Sequence, residues 1–426
     1  MKNNSTVAAK GANANWHTPD SLDIGANKSH KQIHTVLASA NFEYLEKIAL
    51  LARNAGDESS ASGITCITCT IDAKSFTYGM NNLVLNVAFS DDVCWIARIL
   101  YAPVDPSPSY TRRHEVAMLS EIATMRTLKS RTTIPVPEVF ALDVSPSNEF
   151  GFPYVLMECL EGQTLQQNMA RQVPAEYKQH VASQLADVLY QLENLTFDQL
   201  GRIWCGENCD EPPRIIPWWS SDGSLATPRA QTSLEWFYEH RQIQNRSALE
   251  EHADDPEWRA ACWILKQATS HIIIEDRLHG PFPLCHFDLH HGNLLFDDEY
   301  NLTGVIDWDG AATAPLERLA VSPEFITFPG ISDDKNQVIL DFRATVRDCL
   351  QELVSKSEQA TPTKKNQTTL SMILGSKQAD ITHRCTYSRP YRAFWDGQMV
   401  AKLIYGDHVS WEQLVTVYGE VKYYNY

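Results

Sequence analysis

The sequence predicts an α+β chain of two lobes: a small amino-terminal lobe built on an antiparallel sheet with one main helix, and a larger, mostly helical carboxy-terminal lobe. Three observations predict it. Residues 83–100 hold two apolar runs with strand periodicity, joined by a Ser90-Asp91-Asp92 turn. Residues 112–129 then switch to helical spacing, and stripes of that spacing dominate after residue 174. Late in the second half, residues 285–309 combine a dense set of His, Asp and Asn with a short hairpin. A chain of 426 residues, 43% hydrophobic, has ample material for two such lobes.

Taken in order, residues 1–34 are polar, rich in Asn, Ser, Lys and Gly, and read as a disordered tail. They contain no signal-peptide apolar core. They hold no arginine and include Asp20 and Asp23, which argues against a mitochondrial presequence and leaves the cytoplasm as the expected location. Residues 35–60 read as a helical extension, amphipathic over Thr35–Asn54. Residues 61–158 form the small lobe. Phe76–Asn82 reads as a loop between its first two strands. Leu83, Leu85, Val87 and Phe89 line one strand face, and Val93–Leu100 returns. Val116, Leu119, Ile122 and Ala123 give the helix Arg112–Lys129 its apolar face, and Pro135 and Pro137 close it. Phe152–Gly162 is the last strand of this lobe.

Residues 159–426 form the large lobe. Pro174–Leu195 is a helix with Tyr177, Val181, Leu185, Val188, Leu189 and Leu192 on one face, and Pro174 stands in its first turn. Ser233–Gln242, Asp255–Arg277 and Val338–Val354 are further helices. Residues 355–369 are polar, rich in Lys, Thr and Gln, and read as a mobile insertion. Tyr391–Trp411 resumes a mixed helical pattern.

The chemistry concentrates in Cys285-His286-Phe287-Asp288-Leu289-His290-His291-Gly292-Asn293 and in Val305-Ile306-Asp307-Trp308-Asp309. Leu294–Phe296 and Leu302–Ile306 are short apolar runs around the turn cluster Asp297–Asn301, hence a β-hairpin. Its two ends lie side by side, which brings Asn293 and Asp307 within reach of one metal. Asp288 can accept the proton of a substrate hydroxyl, while Asn293 and Asp307 offer hard oxygens to Mg²⁺ beside nucleotide phosphates. Zinc on Cys285, His286, His290 and His291 is the competing reading. Adjacent histidines rarely point the same way, and no distant pair completes a tetrahedral set.

From Gly280 through Asp309 this stretch resembles the aminoglycoside phosphotransferase family, in its fungal branch. The resemblance implies a protein-kinase-like two-lobed fold, with Asp288 as catalytic base and Asn293 and Asp307 as magnesium ligands. His286, set beside Asp288 at the catalytic centre, would orient the loop. It also implies a phosphate-covering loop at Gly79 and Asn81, and Arg98 where many kinases carry a phosphate-gripping lysine. Glu121 would hold Arg98 in place, with Glu115 as a rival. Met157, Glu158 and Leu160 would form the hinge along the purine. The implied cofactors are ATP, with GTP as the alternative, and Mg²⁺.

The expected activity is transfer of the γ-phosphate to a hydroxyl of a small molecule. Two alternatives stand beside it. One is a nucleotide-binding pseudokinase or scaffold, suggested by Arg98 and the weak glycine loop. The other is a protein kinase, which the early Pro315-Leu316-Glu317 leaves little room for. A net charge of −17 disfavours nucleic acid and suits a neutral or cationic acceptor. Asp309, Glu317 and Glu324 are candidates for an acceptor cleft, though surface positions are the plainer reading. No apolar run approaches the ~20 residues of a membrane span. Ten scattered cysteines, Cys66, Cys69, Cys205 and Cys209 among them, read as free thiols. The oligomeric state is left open.

Overall fold

A computed structural model describes residues 16–25, 27–55, 67–101, 107–165, 169–217, 230–323, 333–360 and 367–420. Two helices precede the sheet, α1 (Lys28–Ser39) and α2 (Phe42–Ala55). The Asn27 side chain accepts from the N–H groups of Ser29 and His30, which satisfies two donors at the start of α1. Ile33 and Val36 of α1 and Leu45 and Ala49 of α2 are fully buried in one core with Leu83, Leu85 and Phe150. The expected disordered tail to residue 34 is therefore corrected. Helix begins at Lys28, because two apolar anchors one turn apart bind it to the sheet despite a polar average composition. Residues 1–15 of that expected tail lie outside the described residues.

The sheet runs in the order β1-β2-β3-β5-β4, antiparallel throughout. Its strands are β1 (Cys69–Tyr78), β2 (Asn82–Phe89), β3 (Cys94–Leu100), β4 (Val139–Asp143) and β5 (Tyr154–Glu158). Leu83, Leu85, Val87 and Phe89 all face inward, as their alternation requires. The loop expected over Phe76–Asn82 shrinks to three residues. Phe76 is fully buried and pairs with Leu85, and Tyr78 pairs with Leu83, so β1 continues to the turn. The Gly79 N–H then donates to the Asn82 carbonyl at 2.9 Å.

Helix α3 (Pro108–Arg131) extends past both expected ends. Its inner face carries Val116, Leu119, Ile122 and Met125 into a core shared with Val155 and Met157 of β5 and with the large lobe. That lobe opens with a 3-10 turn and then α4 (Lys178–Asn194), whose predicted stripe is buried except for half-exposed Tyr177. α5 (Ser233–Glu251) starts with a capping box of Thr232 and Glu235 and outruns its expected end at Gln242. The expected helix Asp255–Arg277 divides into α6 (Pro256–Gln267) and two 3-10 turns.

α7 (Asp333–Ala360) absorbs the front of the insertion expected at 355–369, of which residues 361–366 lie outside the described residues. α8 (Lys377–Tyr387), α9 (Ala393–Tyr405) and α10 (Trp411–Tyr418) complete the lobe. α8 escapes a hydrophobic reading because Thr382, His383 and Thr386 sit on its buried side.

Short strands hold the connecting loops. β6 (Gln163–Thr164), β7 (Thr196–Phe197), β8 (Arg202–Trp204) and β9 (Arg214–Ile216) come before β10 (Phe282–Cys285), β11 (Leu294–Phe296), β12 (Leu302–Val305) and β13 (Ala312–Thr313). They form the sheets β12-β11-β6, β13-β10-β7 and β8-β9. The described cysteines, Cys69, Cys205 and Cys209 included, are free thiols, and Cys66 lies outside the described residues. Among the described residues no helix is long and apolar enough to cross a membrane.

If α1 is part of the folded core, Ile33→Ala should lower stability by about 2–4 kcal/mol in urea unfolding. A change below about 0.5 kcal/mol, the size of a surface substitution, would mean that α1 is not docked.

Candidate active site

The hairpin forms as the sequence spells it. β11 and β12 pair antiparallel, with Leu294 opposite Val305. The Ile306 N–H donates to the Asn293 carbonyl at 3.0 Å, so the two ends of the hairpin close side by side. Asp297 accepts from the N–H groups of Glu299 and Asn301 in the turn. Gln184 of α4 grips the same turn, donating to the Tyr300 carbonyl and accepting from the Leu302 N–H. A further bond from the Val305 N–H to the Pro135 carbonyl ties the hairpin to the segment after α3.

The loop ahead of β11 is held by buried polar bonds. His286 is fully buried; its Nδ1 accepts from the Asp288 N–H at 3.2 Å and its Nε2 donates to the Ile306 carbonyl at 3.0 Å. Both ring nitrogens are thus spent on backbone, and burial first of all holds its pKa down, to about 4. His286 thus orients the loop, the role the resemblance implies, and its ring has no nitrogen left to exchange a proton with a reactant. The Ser322 hydroxyl donates to the His286 carbonyl. Arg318 lies over the Phe287 ring, 4.7 Å from its centroid, and donates to the Phe287 carbonyl.

Asp288 is left half-exposed, with His290 Nε2 3.5 Å from its carboxylate. That hydrogen bond is the main reason its pKa lies below the ordinary carboxylate range. The Asn293 Nδ2 donates to the Asp288 carbonyl at 2.8 Å, which commits the amide nitrogen and leaves the side-chain oxygen as the end open to a ligand. Asp307 takes a φ of 61°, in the left-handed region that non-glycine residues seldom occupy. Trp308 beside it is fully buried and donates to the Val305 carbonyl at 2.9 Å.

Burial lifts the Asp307 carboxyl above the ordinary range; Arg98 opposes this, while Asp309 and Asp288 push it higher. Carboxylates crowded in this way fit a hard divalent cation. Mg²⁺ is commonly held by one or two protein oxygens and completed by phosphate and water, and the Asp307 carboxylate with the Asn293 oxygen meets that demand. Among the described residues no group of three or more His, Cys, Asp or Glu could hold a metal ion, so nothing there supports the zinc reading.

Opposite stands Arg98 of β3. Its guanidinium pairs in a bidentate fork with Glu121 of α3, one arm at 2.7 Å, and lies 4.0 Å from the Asp307 carboxylate. The pair is almost wholly buried, with 13% of the Arg98 side chain and 3% of that of Glu121 exposed. Burial works against both charges, and the pair holds Arg98 firmly protonated. Glu115, the rival, turns instead to Arg112 at 3.2 Å.

Beside Arg98 and Glu121 opens a cavity of about 520 Å³. Asn81 lines it, as does Asp309, while Met80 at the tip of the turn is 86% exposed. Gly79 closes the turn with its N–H and accepts from the Tyr101 hydroxyl at 3.3 Å. Met157, Glu158 and Leu160 do not line this cavity. Met157 is core. The Glu158 carboxylate is committed to the Glu138 N–H and Lys129, and Leu160 is half-buried against Gly304.

Glu317 does not reach an acceptor cleft either; it is buried and accepts from the Ile274 N–H at 2.7 Å, and Glu324 lies outside the described residues. The same cavity wall holds Lys28, Arg113 and Arg202, which the sequence reading missed. Tyr110, His114, Ala117 and Glu121 repeat at helical spacing along α3 and could have marked that face. Nothing local marks Lys28 or Arg202.

The family described as "Phosphotransferase enzyme family" matches residues 81–321. The match takes in Arg98, Glu121, Asp288, Asn293 and Asp307 and leaves out α1 and α2. A subtelomeric hrmA-associated cluster protein of Aspergillus fumigatus is 32% identical over 91 residues, 21% of this chain and 18% of its own length. A clavilactone A biosynthesis cluster protein of Ampulloclitocybe clavipes is 24% identical over 265 residues, 60% of this chain and 64% of its own. The chain thus spans less than two thirds of either relative. Among solved structures, Plasmodium vivax ethanolamine kinase aligns over 93% of this chain and 92% of its own at TM-score 0.44 and 12% identity. Macrolide 2'-phosphotransferase type I aligns over 91% and 100% at TM-score 0.42 and 13% identity.

Removing one partner of the buried pair leaves an uncompensated charge, so Glu121→Ala should cost about 3–5 kcal/mol in chemical unfolding. A loss below about 1 kcal/mol would place the pair with exposed ion pairs instead. Because the folded pKa of His286 is depressed, its contribution is present above the unfolded value near ~6.5 and is lost as pH falls through about 4. Stability should therefore decline from neutral pH toward pH ~4 by up to about 3 kcal/mol from this group. His240 and His383, also depressed by burial, add to the slope. Unfolding midpoints measured across that range should vary less with pH in His286→Asn.

Proposed function

Because this chain belongs to the phosphotransferase enzyme family, we propose that it is a small-molecule kinase. It transfers the γ-phosphoryl group of ATP, with GTP as the alternative donor, to a hydroxyl of a small acceptor. The observation that carries this reading is the convergence of Asp288, Asn293 and Asp307 at one loop and the two mouths of one hairpin, with Arg98 4.0 Å from Asp307.

Asp288 accepts a hydrogen bond from the acceptor hydroxyl and so aims its oxygen at the phosphorus. The new P–O bond forms at that oxygen as the bond to the departing nucleoside diphosphate breaks. The hydroxyl proton passes to the Asp288 carboxylate. A carboxylate held below its ordinary range is a weak proton sink. In a loose transition state the proton leaves late, so orientation outweighs basicity. Mg²⁺ on Asn293 and Asp307 would supply charge neutralisation for the phosphate oxygens. Arg98, fixed by Glu121, grips the non-transferred phosphates with a charge that cannot be lost. His286 and Ser322 act one step back, holding the backbone that presents Asp288.

A nucleotide-binding scaffold without efficient transfer is the competing reading. Arg98 in place of a lysine favours it, and joint retention of Asp288, Asn293 and Asp307 weighs against it.

Calorimetry with Mg·ATP and Mg·GTP on the purified protein tests the site. Asp307→Asn should weaken metal-dependent binding at least about tenfold, the loss of one charged ligand interaction. Asp288→Asn should retain nucleotide affinity while turnover with a found acceptor falls by about 10²–10⁴. Absence of binding for both nucleotides would sink the kinase reading.

A further inference from the structure

Two cysteines far apart in the sequence meet where the small lobe hands the chain to the large one. β3 and β5 pair antiparallel with Trp95 opposite Glu158, so the next step of the same register sets Cys94 opposite Cys159. Opposed residues of an antiparallel pair have Cα atoms about 4.5–5.5 Å apart. A disulfide spans about 4.4–6.8 Å between Cα atoms, so this pair can close without moving the backbone. The side chains already touch, since the Cys159 S–H donates to the Cys94 sulfur.

The pair lies on the side of the sheet turned to the active site. Trp95, Ala97 and Ile99 point into the core shared with α1 and α2. Cys94, Ile96 and Arg98 alternate with them and take the other face. Across the ladder, Val155 and Met157 share that face, packed with α3 and the large lobe. Cys159 is the first residue beyond β5, and Leu160 next to it lies against Gly304 of β12. A bond between the two sulfurs therefore ties the strand that carries Arg98 to the chain as it leaves the sheet.

Their reactivity sets the two apart. Cys94, Cys159 and Cys69 are partly exposed, while the other described cysteines are buried. Burial, and then Glu46, push the Cys69 thiol up to about 12. The hydrogen bond from Cys159 holds Cys94 down, to about 7, against burial. Cys94 gives up only a long contact to the Trp95 carbonyl, at 3.6 Å, when it loses its proton. Cys159 moves the other way, because it supplies that bond and because burial, the Cys94 charge, Glu161 and Glu158 oppose a second negative charge. One thiolate beside one thiol is the arrangement that disulfide exchange needs.

We propose that Cys94 and Cys159 are a modification site, a dithiol that closes to an intramolecular disulfide by exchange with a low-molecular-weight disulfide such as glutathione disulfide. The Cys94 thiolate attacks one sulfur of that molecule, its S–S bond breaks, and one glutathione leaves as thiolate. Cys94 now carries a mixed disulfide and no charge, which removes one of the groups that held the Cys159 proton. Cys159 yields that proton to the departed thiolate, and its sulfur attacks the Cys94 sulfur. The second glutathione leaves as thiolate and takes a proton from water. Two protein thiols are oxidised, and one glutathione disulfide is reduced to two glutathiones. The site needs no nucleotide and stands apart from the kinase reading.

The test treats the folded full chain with glutathione disulfide, traps remaining thiols with iodoacetamide and maps the peptides by mass spectrometry. The Cys94 peptide should appear joined to the Cys159 peptide in most molecules, with Cys69 unmodified, and dithiothreitol should restore both thiols. Cys159→Ser keeps a donor to the Cys94 sulfur and removes the second attack, so it should accumulate glutathione on Cys94. Cys94→Ser should carry at least tenfold less glutathione on Cys159. In guanidinium, where the strand register is gone, the preference for this pair should vanish. The proposal is overturned if both cysteines take up glutathione without joining, if neither reacts, if Cys94 reacts no faster than Cys69, or if the preference survives unfolding.

Discussion

The site depends on one buried ion pair. Arg98 on the third strand and Glu121 on the long helix come from different layers of the small lobe, and neither can be taken out of water alone. Their bidentate fork fixes the height of the helix over the sheet. It also sets the guanidinium 4.0 Å from Asp307, which belongs to the large lobe. A surface pair would do none of this, since side-chain entropy and solvent screening leave it little energy. Burial makes the pairing both obligatory and directional, at the cost of desolvating two charges.

The large lobe answers with bonds of a different kind. Around Asp288 the ordering groups, Arg318 apart, are neutral and directed at backbone: His286 bridges Asp288 and Ile306, Trp308 reaches back to Val305, and Asn293 closes onto the Asp288 carbonyl. Each buried donor and acceptor in this set has a partner, so the loop has one low-energy arrangement. A rigid neutral frame presents flexible demand for a cation, and this division of labour lets one hairpin serve both folding and chemistry.

What could be read in the sequence was what acts over short distances. The alternation from Leu83 to Phe89 gave a strand because every second residue meets the same core. The turn cluster at 297–301 gave a hairpin because Asp297 bonds its own backbone. The loop from His286 to Asn293 and the hairpin mouths were legible for the same reason. Long-range facts were not. Ile33 and Val36 look sparse in a polar stretch, yet two anchors one turn apart suffice once a sheet is present to receive them. Phe76 and Tyr78 continue a strand rather than open a loop because their partners, Leu85 and Leu83, sit across the ladder. Arg202 and Lys28 are separated by the whole of the small lobe in sequence, and only the folded chain sets them on one wall.

The left-handed backbone at Asp307 bears on how such a site can decay over generations. Among residues with a side chain, Asp and Asn tolerate that conformation best, because a short polar group can bond locally. Most other side chains would add roughly 1–2 kcal/mol of backbone strain at this position. The exchange that disturbs this backbone least while keeping a side chain is therefore Asp307 for asparagine, a single carboxylate oxygen for an amide nitrogen. A descendant so altered would retain the outline of its ancestor almost intact, and its silence would be written in that one atom.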